Sequence, residues 1–114
     1  MQIEQIRNAT MKITYANKAI LTDPVLSAKN SLPSFAGTEN NPTVDLPYPS
    51  RDFLQDLNSV IVSHDHPDHL DDAAISLLPG DIPVFCQPAD EERIVKAGFE
   101  NLFSIEDSIN WEDI

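Results

Sequence analysis

A chain of 114 residues with a formal charge of −12 is long enough for one small domain with its own core. Seven basic residues against nineteen acidic ones work against electrostatic binding of nucleic acid or an anionic membrane surface, and no apolar run approaches the length of a bilayer span. The single cysteine, Cys86, sits in the apolar run Val84-Phe85-Cys86 and reads as a small buried hydrophobe. With an N-terminus that lacks the basic and apolar segments of a secretory signal, it points to a reducing cytoplasm.

In chain order, Ile3 to Ile6 opens a first strand, and Ala9, Met11, Ile13 and Tyr15 alternate with Thr10, Lys12, Thr14 and Ala16, the period of a two-faced strand. Asn17-Lys18 is placed to turn the chain into a third strand, Ala19 to Thr22, which stops at Asp23-Pro24. Together these form an antiparallel meander. Asp23 is either an ordinary turn residue or a group that orients a metal-bound histidine, as such ligands commonly require. Ser27 to Pro49, rich in proline, asparagine and serine, has no periodicity and reads as a long loop. Phe35, Leu46 and Tyr48 either pack it down, the usual way of ordering such a loop, or line a substrate entrance.

Ser50 caps a short helix through Phe53, Leu54 and Leu57, followed by a wholly apolar strand at Ser59 to Ser63. Asp71 or Asp72 caps a second helix through Ile75 and Leu78, ended by Pro79-Gly80. Ile82 to Cys86 is the next strand. Pro88 opens a helix from Ala89 to Ala97 with Gly98 at its exit, and Asp90-Glu91-Glu92 complements the dipole of its first turn. Asn101 to Ile105 is a last strand. Strand, helix, strand, helix, strand after a meander predicts an α/β fold with a mixed sheet.

The chemistry concentrates in Ser63-His64-Asp65-His66-Pro67-Asp68-His69, which holds all three histidines of the chain. Histidine and carboxylate together suit zinc and its first-row neighbours. A buried strand that delivers them at its C-terminal end matches where open α/β sheets place their sites. His64 and His66, two apart, project to one side of an extended segment and can share an ion, with Asp65 facing away. Pro67 turns the chain, so that Asp68 and His69 suit a second ion. The bland alternative is a solvated loop of surface histidines.

The pattern His-x-His-x-Asp-His resembles the first metal motif of the metallo-β-lactamase-fold superfamily. Ile20 to Pro24, Ser31 to Gly37 and Asn41 to Pro47 are similar to its branch related to ascorbate-6-phosphate lactonase and N-acylphosphatidylethanolamine phospholipase D. The resemblance implies that His64 and His66 bind one metal and Asp68 and His69 another. The expected cofactor is two zinc ions in the intact fold, with manganese or iron as alternatives. Asp68 would also orient the attacking water. The implied function is hydrolysis of a lactone, ester or phosphodiester in a small-molecule substrate by metal-activated water. Where the branch carries Gly-His-Ala-Thr, this chain has Arg7-Asn8-Ala9-Thr10.

The family fold is a four-layer αββα sandwich of two halves, and its second half supplies two further histidines and a bridging aspartate. No histidine follows His69. Residues 1–114 therefore read as one incomplete domain, the N-terminal half, with its open sheet face covered by a missing C-terminal half or by a second copy in a homodimer. The competing expectation is a truncated or degenerate, non-catalytic relative that serves as a metal-binding or interaction subunit.

Overall fold

The computed structural model describes residues 1–32, 40, 42, 44–47, 49–66 and 69–106. Their strands form one six-stranded mixed sheet in sequence order. β1 (Gln2–Arg7), β2 (Thr10–Tyr15) and β3 (Lys18–Thr22) are the antiparallel meander. β4 (Ser59–Val62), β5 (Val84–Cys86) and β6 (Leu102–Ser104) then pair parallel to β3 and to one another. This is the expected α/β order. The parallel half brings the carboxyl ends of β3, β4 and β5 side by side, where loops can converge.

The connections explain where each strand stops. The β2–β3 hairpin turns on Ala16-Asn17, one residue earlier than expected: Tyr15 pairs with Lys18, and both turn residues have positive φ, 50° and 63°. Two consecutive left-handed residues match the twist of the flanking strands, and that geometry overrode the poor fit of alanine to it. α1 runs Ser50–Leu54, with Pro49 at its N-cap position and no side-chain cap. Ser50 is thus helical rather than capping, and Leu57 lies beyond the helix. α2 (Asp72–Leu77) is capped by Asp71, whose carboxylate accepts the Ala74 N–H at 2.9 Å. The segment at Pro88 begins as a 3₁₀ turn, Pro88–Asp90, before α3 (Glu91–Lys96). It ends at Gly98, whose φ of +113° suits glycine.

Register sorts the side chains. Leu21, Val60 and Val84 align across β3, β4 and β5 and join Val62, Cys86, Phe53, Ala74, Leu78, Ile94 and Phe99 in one buried cluster. Leu46 packs against it, which supports the packing role for that loop residue; Phe35 and Tyr48 lie outside the described residues. Cys86 is buried, and burial pushes its thiol up, helped by the charges of Glu91 and Asp90. It is an inert core residue. The alternate residues Ile3, Ile13, Ile20, Ile61, Phe85 and Phe103 occupy the opposite face, where Phe85 is buried and stacks on Phe103 while the others are half-buried or, like Ile3 at 56%, exposed. Among the described residues no helix is long and apolar enough to cross a membrane.

Candidate metal site

The candidate site grows from the junction of β3 and β4. Asp23 follows β3 at φ +42°, a conformation short polar side chains tolerate. It is held there on both sides of its backbone. Its N–H donates to the Ile61 carbonyl at 2.8 Å, and its own carbonyl accepts the buried Thr10 hydroxyl at 2.7 Å. The carboxylate is thereby aimed across at the start of the histidine run. Oδ1 accepts the Ser63 N–H at 2.6 Å and Oδ2 the Ser63 hydroxyl at 2.8 Å. Oδ2 also lies 3.0 Å from His69 Nδ1. Asp23 thus both turns the chain after β3 and contacts the His69 ring.

This arrangement selects tautomers. A carboxylate only accepts, so His69 carries its hydrogen on Nδ1 and its lone pair on Nε2. The Ser63 hydroxyl, having given its hydrogen to Asp23, faces His64 Nδ1 at 3.1 Å and His69 Nδ1 at 3.2 Å as an acceptor. His64 is driven to the same Nδ1–H form. Ser63 was not singled out from the sequence, because a serine before a histidine carries no spacing signal of its own.

The three imidazoles do come together. His64 and His69 rings lie 3.8 Å apart between centroids, and His64 and His66 rings 4.6 Å apart in an edge-on arrangement. The segment is not extended as expected. His66 N–H bonds to the His64 carbonyl at 3.0 Å, a three-residue turn, and the His66 carbonyl accepts both His69 N–H and Leu70 N–H. It is the turn, rather than strand alternation, that gathers the rings. Asp68 and Pro67 lie outside the described residues. Among the described residues no group of three or more histidine, cysteine or carboxylate side chains closes on a single ion. The donor chemistry nevertheless fits a divalent metal: clustered imidazoles, two of them with the lone pair fixed on Nε2, and a carboxylate behind one ring.

A second network lies on the β5 side. Asp90, 3% exposed, accepts Gln87 Nε2 at 2.8 Å, an Arg93 guanidinium nitrogen at 2.8 Å and the Asp65 N–H at 2.9 Å. Burial pushes the Asp90 carboxyl up, but those hydrogen bonds and the charge of Arg93 outweigh it and hold it below the usual carboxylate range. Asp90 stands at the N-cap position of α3 with Glu91 and Glu92 in its first turn, as expected, and in addition is buried in this network. The side chain of Asp65 lies 3.3 Å from Arg93 Nε. Asn8, where the resembling branch has histidine, sits in the β1–β2 turn at φ 53°, exposed, its carbonyl accepting Gln5 Nε2.

Residues 18–114 match the family described as beta-lactamase superfamily domain. The chain belongs to this superfamily. A curated relative, UPF0173 protein YddR of Bacillus subtilis (strain 168), is 42% identical over 107 residues, covering 90% of the chain and 42% of that protein. Among solved structures, a possible metal-dependent hydrolase from Veillonella parvula DSM 2008 superposes with a TM-score of 0.92 at 40% identity, over 97% of this chain and 44% of the other. An isothiocyanate hydrolase from Delia radicum gut bacteria superposes at 0.91 and 38% identity, over 99% and 45%. The chain thus spans less than half the length of these relatives and corresponds to the N-terminal part of superfamily hydrolase structures.

Proposed function

We propose that the histidine turn is the metal-binding half of a metal-dependent hydrolase site, with His64, His66, Asp68 and His69 as ligands. The observation that carries this reading is the Asp23–Ser63 relay, which fixes the lone pairs of His64 and His69 on Nε2. A divalent ion, zinc by donor preference or manganese or iron, would supply Lewis acidity and a water that ionises near neutral pH. The protein's own part is to hold neutral imidazoles in place, keep Asp23 behind His69 and present Asp68 to orient that water. Lactones, esters or phosphodiesters are the substrate class, in line with the lactonase and phospholipase branch that the loop sequences resemble. A second reading, hydrolysis of an isothiocyanate carbon, is favoured by the likeness to the isothiocyanate hydrolase.

The partly exposed apolar face carrying Ile3, Ile13, Ile20, Ile61 and Phe103 fits a C-terminal half of the same fold, or a second copy, as the source of further ligands. The thiol of Cys86 suits a reducing cytoplasm. The test is hydrolysis of a lactone, a phosphodiester and an isothiocyanate by protein loaded with zinc, manganese or iron(II). Chelation is expected to abolish turnover, and His64→Ala to reduce it by about 100-fold or more, beyond the 10–100-fold typical of groups that merely support a ligand. Turnover indifferent to His64→Ala refutes the proposal.

A further inference from the structure

We infer that Asp90 and Arg93 are a positioning pair for the metal-ligating turn, clamping the residue between His64 and His66 from the adjoining strand connection. The inference rests on the metal reading proposed above. Asp65 is gripped twice: its N–H donates to Asp90 Oδ2 at 2.9 Å, and its carboxylate lies 3.3 Å from Arg93 Nε. Arg93 also binds Asp90 Oδ1 at 2.8 Å, and Gln87 completes the set on Asp90 Oδ2. The peptide that joins His64 to Asp65 and the side chain of Asp65 are thus both fixed to one guanidinium–carboxylate unit.

The two torsions on either side of Asp65 set how the His64 and His66 rings face each other. Anchoring Asp65 at its backbone and at its side chain removes the freedom to swing one ring away from the other. Plain packing between the turn and α3 needs no such device, since apolar side chains would close that contact without burying a carboxylate. Here a carboxylate 3% exposed is supported by three donors, one of them the ligand turn's own backbone. Arg93 has 59% of its side chain exposed, so it contributes little to the core and its forked geometry is what matters. The same Asp65 and Arg93 stand on the wall of a cavity of about 530 Å³ floored by Leu70, Ile75 and Ile94.

The experiment titrates cobalt(II) and zinc into the folded protein and into Asp90→Asn, Arg93→Gln and Arg93→Lys, with thermal melting in chelator as the fold control. Asp90→Asn and Arg93→Gln are expected to weaken metal affinity about 10–100-fold and to change the visible cobalt spectrum at temperatures where the variants remain folded. Arg93→Lys is expected to recover only part of the affinity, because an ammonium cannot bridge Asp65 and Asp90 as a fork does. Unchanged affinity and spectrum in folded variants overturns the inference, even where melting temperatures fall. If Asp90→Asn does not fold, the exposed Arg93 variants decide alone. A parent protein that binds neither metal overturns the metal reading and this inference with it.

Discussion

Replacing Asp71 with alanine is expected to remove about 3–5 kcal/mol of folding stability. The carboxylate is 4% exposed and accepts three backbone N–H groups: Ala74 at 2.9 Å, Ser27 at 2.9 Å and Leu26 at 3.1 Å. The first is the N-cap of α2, worth about 1 kcal/mol. The other two tie the segment after β3 to α2, and leaving each buried donor unsatisfied costs about 1–3 kcal/mol. Arg7 adds to this. It is 3% exposed, and its guanidinium caps the Val25 and Ser27 carbonyls at 2.8 and 2.7 Å. Burial lowers its pKa while the charges of Asp71 and Asp45 oppose that, so removing Asp71 takes away a countercharge to a buried cation. Urea unfolding followed by circular dichroism measures the loss; a change below about 1 kcal/mol would contradict the assignment of Asp71 as the joint between loop and helix.

Asp23 gives the second large effect, and two substitutions separate its roles. Asp23→Ala strips acceptors from the Ser63 N–H, the Ser63 hydroxyl and His69 Nδ1, and places alanine at φ +42°. Left-handed backbone costs an ordinary residue about 1–2 kcal/mol, so a total loss near 3 kcal/mol is expected with the orphaned donors included. Asp23→Asn tolerates that backbone and can still accept from the Ser63 N–H. Its amide, however, turns a donor toward Ser63 or His69, where a second acceptor is required. The asparagine variant is expected to keep most of the stability yet to lose metal affinity by about 10–100-fold. Calorimetric titration with zinc beside a thermal melt distinguishes the two. Equal affinity in Asp23→Asn and the parent would mean that Asp23 is only a turn residue.

The fold was legible because its strands carry clear patterns: alternation in Met11, Ile13 and Tyr15, and a short β-branched apolar run in Val60-Ile61-Val62 bounded by polar residues, of which Val60 and Val62 are buried and Ile61 half-buried on the other face. Helix ends were harder. The cap of α2 was narrowed to Asp71 or Asp72 and proved to be Asp71, whereas Ser50 did not act as a cap, because Pro49 already supplies the chain entry to a helix of a single turn and a half. The hairpin moved by one residue because register, set by which face of β3 is buried, dominates local turn preference. At the candidate site, the histidine cluster was visible in the sequence, but the groups that contact it were not. Asp23 was one of two open readings. Ser63 and Asp90 act through partners 40 and 25 residues away in sequence, and no local pattern encodes such contacts. Asp90 was further hidden inside an acidic run whose other members, Glu91 and Glu92, are exposed.

The most direct measurement is the divalent metal retained per chain after zinc loading and desalting, by mass spectrometry of the native protein, beside a variant carrying His64→Ala and His66→Ala. The parent protein is expected to hold at least one ion and the variant none. Equal metal content in the two, whether both full or both empty, would contradict the claim that the histidine turn is a metal site.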